Sequence, residues 1–89
     1  MKYTVEITKK ALKSLQKIDK THAQKILLWL EKNINGCENP RAYGKALTGD
    51  FNECWRYRIG NYRLIAKIVD NIVTVIIIDI GHRKDIYQD

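Results

Sequence analysis

Apolar and polar positions change period along this chain, and each change marks an element. From Lys2 to Ile7 they alternate, with Tyr3, Val5 and Ile7 on one side and Lys2, Thr4 and Glu6 on the other, which predicts a half-buried strand. The period then lengthens. Ala11, Leu12, Leu15 and Ile18 fall at helical spacing with lysines between them, Thr8 stands where a cap is needed, and Asp19-Lys20 breaks the pattern. A second helix is predicted from Thr21, with Gln24 completing a capping box. Its stripe is Ala23, Ile26, Leu27, Leu30 and Ile34, with Trp29 packing beside it and Gly36 closing the C-terminus. The short break between the two predicts an antiparallel helical hairpin.

Residues 35–52 carry Gly36, Asn39-Pro40, Gly44 and Gly49 and read as loop, with a weak strand near Ala46-Leu47. The period of two returns at Cys54. The stretch from Cys54 to Val69 reads as two strands joined by a Gly60-Asn61 turn. A second tight turn at Asp70-Asn71 leads into the nearly continuous apolar run Ile72 to Ile80, a strand buried on both faces. With two-residue turns, Ile59 pairs with Tyr62, Arg58 with Arg63, Arg56 with Ile65, and Ile78 with Arg63 on the far side. One face then holds Trp55, Tyr57, Ile59, Tyr62, Leu64, Ala66, Ile68, Val73, Val75 and Ile77, apolar enough to pack on the helices. The other holds Arg56, Arg58, Arg63, Ile65, Lys67, Thr74, Ile76 and Ile78: a basic face with an apolar floor.

That second face is where chemistry enters. Like charges directly opposite one another destabilise a sheet, so three clustered arginines point to an anion, most naturally a phosphate. Arginine offers a planar fork that grips phosphate oxygens in pairs. The tail Gly81-His82-Arg83-Lys84-Asp85-Ile86-Tyr87 leaves the sheet beside Arg63 in this register, which brings His82, Arg83 and Tyr87 near the cluster. Lys45, Lys67 and Lys84 flank it as candidate RNA contacts.

Composition sharpens this picture. Eighty-nine residues make one domain, 1–89, with apolar content of 45% and charged content of 29%. The net charge of +6 favours a polyanionic or acidic partner. Cys37 and Cys54 lack metal-ligand spacing and read as reduced thiols in a cytoplasmic protein. The start has no apolar signal segment, and the run from Ile72 is too short to span a bilayer, so no membrane association is expected. No zinc-protease motif, CxxC, P-loop, dinucleotide fingerprint or serine elbow occurs. The basic face carries few carboxylates for magnesium, and no cofactor or metal is expected. A metal-free route exists for RNA, in which the substrate's own 2′-OH attacks the adjacent phosphate while the protein supplies charge and alignment. Residues and spacing lead to a binder of single-stranded RNA or of an acidic partner, or to a metal-free nuclease, and stop there. His82 fits a surface residue as well as a catalyst, Tyr87 fits a packing role, and the lysines of the first helix fit a solvated face.

The set Leu47-Thr48-Gly49, Cys54-Trp55-Arg56-Tyr57-Arg58, Tyr62-Arg63-Leu64, the apolar strand, and Gly81-His82-Arg83-Lys84-Asp85-Ile86-Tyr87, in this order, resembles the RelE/ParE superfamily of toxins from bacterial toxin–antitoxin pairs, and its RelE branch. The resemblance covers nearly the whole chain. It implies an α+β fold, with an N-terminal strand and antiparallel helical hairpin packed on one face of a mostly antiparallel sheet. It implies an mRNA endoribonuclease acting in the ribosomal A site, leaving a 2′,3′-cyclic phosphate and a 5′-OH. It also implies a cognate RelB-like antitoxin, with DNA reached only through the antitoxin complex. By position, Arg63 and Arg83 would hold the scissile phosphate and Tyr87 would stack on or deprotonate the 2′-OH nucleotide. Arg56 and Arg58 stand where well-known members have lysines; arginine remains protonated, so these two would stabilise charge and the base would be Tyr87 or His82. The alternative within the superfamily is a ParE-like poison of DNA gyrase that cuts nothing, since fold alone does not decide function.

Overall fold

The computed structural model describes residues 2–47 and 54–82. Strand β1 (Thr4–Ile7) is followed by helices α1 (Lys9–Gln16) and α2 (Lys20–Trp29), then by strands β2 (Lys45–Ala46), β3 (Trp55–Ile59), β4 (Tyr62–Val69) and β5 (Thr74–His82). They form one sheet in the order β1-β5-β4-β3-β2, antiparallel except for the parallel pair β1/β5. The helices cover one face, as the hydrophobic pattern predicts. The core joins Ala11 and Leu15 of α1 and Ile26 of α2 to Leu30 and Ile34 just beyond it, and packs them on Tyr57, Leu64, Ala66, Val75, Ile77 and Ile80.

The caps show how local chemistry sets these boundaries. The Thr8 side chain accepts from the Ala11 amide and opens α1. The helix α2 starts one residue earlier than its pattern predicts, because the Asp19 carboxylate, not Thr21, caps it by accepting from the Thr21 amide. Beyond Trp29 the chain widens into a π-helical turn over Leu30–Ile34. Gly36 follows in the left-handed region at φ +83. The segment after this turn lies along the outer edge of β1: the Gly36 amide donates to the Tyr3 carbonyl, the Tyr3 amide to the Cys37 carbonyl, and the Val5 amide to Asn35 Oδ1. The first half of this edge is thereby paired, which shortens the ladder that another chain could join.

Two irregularities set the register of β5. The connection after β4 is not a two-residue turn but a 3₁₀ turn over Asp70–Ile72, with Val73 in the left-handed region at φ 52, ψ 50. Val69 therefore pairs with Thr74. The shift is even, so Val75 and Ile77 keep their inward direction, whereas Val73 sits in the connection instead of on the core face. A bulge then interrupts the ladder: Ala66 opposes Ile77, but Ile65 opposes Asp79 and Leu64 opposes Ile80. Ile78 has no partner across the ladder, and the residue opposite Arg63 is Gly81 rather than Ile78. The Thr8 hydroxyl lies 3.0 Å from both the Ile77 and Ile78 carbonyls, so the residue that caps α1 also meets the backbone of the bulge.

Candidate anion site on the open face of the sheet

The hairpin forms in the register predicted from its sequence. Gly60 has φ +59 and the turn is two residues long, so Ile59 faces Tyr62, Arg58 faces Arg63 and Arg56 faces Ile65. Strand β2 adds one more cation, with Lys45 opposite Arg56. Directly opposed side chains have Cβ atoms about 5 Å apart. One rung of the sheet therefore reads Lys45–Arg56–Ile65, and the next reads Arg58–Arg63–Gly81. Gly81 contributes no side chain to the second rung. Lys67 lies on the same face, two residues beyond Ile65.

Burial divides these cations. Arg58, Lys45 and Lys67 are exposed. Arg56 is only 9% exposed, Arg63 5% and Ile65 3%, so two of the three arginines lie inside the molecule rather than on an open basic surface as expected. Both make interactions within the fold, as a buried cation must to offset its desolvation. Burial cannot be read from alternation, because alternation gives a side chain's direction and not what lies over it. The consequence is chemical: Arg58, with Lys45 and Lys67, is left open to an anion, while the buried Arg56 and Arg63 add their charge from beneath, where water screens it less.

The acid nearest this region in the ladder is Asp79, opposite Ile65. Its carboxylate is taken up by α1, accepting from the Ser14 hydroxyl at 3.1 Å and lying 3.3 Å from Lys10 Nζ, and it also accepts from the Ile80 amide. The sequence offered no sign of this arrangement, since it depends on the bulge.

His82 is placed differently from the expectation. It pairs with Tyr62, and its ring packs edge-on to the Tyr62 ring at 5.7 Å, on the face the helices cover. One residue past Gly81 the side chain points to the opposite side of the sheet, so His82 does not join the arginines. On that covered face Tyr62 also meets His22 of α2 at 5.5 Å. Arg83, Lys84 and Tyr87 lie outside the described residues.

Behind the arginine strand, β3 is held by aromatic packing. Tyr57 is fully buried, its hydroxyl donates to the Pro40 carbonyl at 2.7 Å, and Trp29 packs on its ring at 5.4 Å. Burial drives the Tyr57 phenol well above the ordinary tyrosine range. The Trp55 indole donates to the Tyr43 carbonyl. Gly44, at φ +75, lets the loop approach β3 so closely that a Cβ there would meet the Arg56 carbonyl oxygen.

On the far side of the molecule α1 and α2 leave an apolar groove of about 430 Å³, lined by Leu12, Leu15, Ile18, Ala23 and Leu27. Leu12 and Leu27 are 46% and 41% exposed.

Residues 5–87 match the family model described as the ParE toxin of the type II toxin–antitoxin system parDE. The chain is 31% identical to "Toxin RelG" of Mycobacterium tuberculosis over 99% of both chains. It is 26% identical to "mRNA interferase toxin RelE" of Escherichia coli K12, over all of this chain and 94% of that one. Among solved structures, the toxin–antitoxin complex RelBE2 of M. tuberculosis contains a chain that superposes with a TM-score of 0.84 at 28% identity, covering 96% of this chain and 95% of that one.

Proposed function

Because the chain belongs to the ParE-toxin family of type II toxin–antitoxin systems, we propose that it is the toxin of such a pair and, of the activities its relatives' names carry, an mRNA endoribonuclease of the RelE kind. The observation that carries this reading is the pair of adjacent rungs in which Lys45, Arg56, Arg58 and Arg63 share one face of the sheet. Like charges opposed across a sheet carry a cost, and an anionic ligand held against the exposed Arg58 of this row would lower it further than the contacts Arg63 makes within the fold. The matching substrate is a phosphodiester. Its 2′-OH attacks the adjacent phosphorus, the P–O5′ bond breaks, and the products are a 2′,3′-cyclic phosphate and a 5′-OH. Charge builds on the non-bridging oxygens, and preorganised guanidiniums stabilise it. Arginine remains protonated and serves as electrostatic partner, not base. With His82 packed against Tyr62 on the other face, the base role falls to Tyr87, by family position. Cleavage within the ribosomal A site belongs to the same proposal, since an arginine row with few acid–base groups depends on its surroundings for alignment.

The antitoxin is assigned to the groove between α1 and α2. Its apolar lining, with the exposed Lys20 at its rim, suits an amphipathic segment with leucine-like anchors and acidic flanks.

The family model is named for the ParE toxin, and the second reading is therefore the ParE-like alternative, a poison of DNA gyrase that cuts nothing. Primer extension on a defined mRNA in a reconstituted translation system separates the two. Discrete cuts at A-site codons, lost in Arg58→Ala, are expected. Intact mRNA together with inhibited supercoiling by gyrase would replace the nuclease reading with the gyrase one.

A further inference from the structure

The arginine row is on one face of the sheet, yet a second aromatic and basic feature lies on the other. Tyr62 stands at the start of β4, and its ring is flanked by His22 of α2 and His82 at the end of β5. Each side of this aromatic cluster is hollow. Toward the hairpin turn a cavity of about 210 Å³ is bounded by His22, Lys25, Gly60, Asn61 and Tyr62. Toward the corner between the helices a cavity of about 450 Å³ is bounded by Lys17, Ile18, Asp19, Tyr62 and His82. Tyr62 is a wall of both, so together they make a trough at the end of the sheet where the β3–β4 turn and the end of β5 come together.

The chemistry of the trough is that of a single-stranded nucleotide site. It offers a tyrosine face and two imidazoles for stacking, and Lys17 and Lys25, both exposed, for phosphate. Among the described residues its one lining carboxylate, Asp19, is turned to its own helix: it accepts from the Thr21 amide and lies 3.5 Å from His22 Nδ1. Position strengthens the case. Tyr62 and Arg63 are consecutive, and so are Gly81 and His82, with Arg63 opposite Gly81 and Tyr62 opposite His82. The trough and the second arginine rung are thus neighbouring rungs on opposite faces, and a strand passing over this end of the sheet can touch both.

We propose that the trough around Tyr62 seats an unpaired nucleotide of an RNA strand that continues to the arginine row, a proposal that rests on the RNA-cleaving reading. The nucleotide belongs to the message or to ribosomal RNA; the chemistry recognised is the same.

Fluorescence anisotropy with a labelled single-stranded oligoribonucleotide tests it. The proteins compared are wild type, a Lys17→Ala/Lys25→Ala double variant, Tyr62→Leu, and Arg58→Ala on the other face. The double variant changes only exposed side chains and should melt like wild type. It is expected to bind about tenfold or more weakly at low salt, with its log K against log salt slope reduced by about 1.4 for two lost phosphate contacts. Tyr62→Leu is expected to lose about tenfold through stacking. Ultraviolet cross-linking on mRNA-programmed ribosomes, followed by sequencing of the RNA joined to the Tyr62 peptide, tells message from ribosomal RNA, and either product supports the site. Wild-type affinity in both trough variants, with loss in Arg58→Ala, overturns the trough and leaves the arginine row intact. No RNA binding by any of the proteins overturns both.

Discussion

Val73 and Arg58 show how a single position carries information beyond its type. A β-branched residue in the left-handed region is strained, by about 1–2 kcal/mol. Asparagine tolerates this region far better. Val73→Asn is therefore expected to stabilise the fold by about 0.5–1 kcal/mol, read as a higher midpoint in urea with an unchanged slope; a lower midpoint would show that Val73 packing outweighs the strain. Arg58 and Arg63 face each other but should respond differently to truncation. Arg58 is exposed, so Arg58→Ala should lower cleavage by roughly 10²–10³-fold, the scale of one lost oxyanion donor, with stability within about 0.5 kcal/mol of wild type. Arg63 is buried and engaged. Arg63→Ala should lose activity and also about 1–3 kcal/mol of stability, because its partner is left unsatisfied. Equal and negligible stability changes in the two would contradict this division.

At the scale of elements, the connections carry the surprises. The 3₁₀ turn after β4 is fastened by Asp70. Its carboxylate accepts two hydrogen bonds from the Arg41 guanidinium, each 3.0 Å, and one from the Tyr3 hydroxyl at 2.6 Å. Three separate segments are thus tied at one exposed acid. Arg41 first, and then Tyr3, hold the Asp70 carboxyl below its usual range. A depressed carboxylate contributes stability above its unfolded-state pKa of about 4 and loses it as pH falls through the folded value. Wild type should thus show an acid-side decline below about pH 4 that is shallower in Asp70→Asn. Identical acid limbs would mean that the clamp is fully solvated and contributes nothing. Tyr57 works in the opposite direction. Its raised pKa means stability that is complete below about pH 10 and is lost as the pH rises toward the folded value. Tyr57→Phe should show a flatter alkaline limb together with a loss of about 1 kcal/mol at neutral pH for the missing bond to Pro40.

For the molecule as a whole, two surfaces face opposite ways. The helices present an apolar groove with a lysine rim, and the sheet presents the arginine row. If the antitoxin occupies the groove, binding and catalysis can be damaged separately. Leu27→Asp should weaken antitoxin affinity by about 100-fold or more, through lost burial and an acid set against acidic flanks, while leaving mRNA cleavage by the free toxin unchanged. Loss of cleavage with retained binding would invert the assignment of the two faces. The net charge of +6 should also make antitoxin association slow as salt rises.

Much of this protein was determined by sequence alone. The alternation from Trp55 to Val69 and the Gly60-Asn61 pair fix both the hairpin register and the opposition of Arg58 to Arg63, because a two-residue turn leaves one pairing that keeps Tyr57 and Leu64 inward. The stripes likewise fix which helical faces turn inward at Ala11, Leu15, Ile26, Leu30 and Ile34, although Leu12 and Leu27, read as part of the same stripes, stay exposed at the groove. Tertiary structure decided the rest. Thr8, which reads only as a helix cap, also meets the carbonyls of a bulge more than sixty residues away, and that bulge, added to the two-residue shift from the longer connection after β4, brings Gly81 rather than Ile78 beside Arg63. Together they pair His82 with Tyr62, and the odd, one-residue step of the bulge is what turns His82 away from the arginines. Local pattern fixes periodicity and direction, since these depend on neighbouring backbone geometry. Where a turn lengthens, where a ladder bulges and which arginines are covered depend on contacts between segments far apart in the chain, and no local period encodes them.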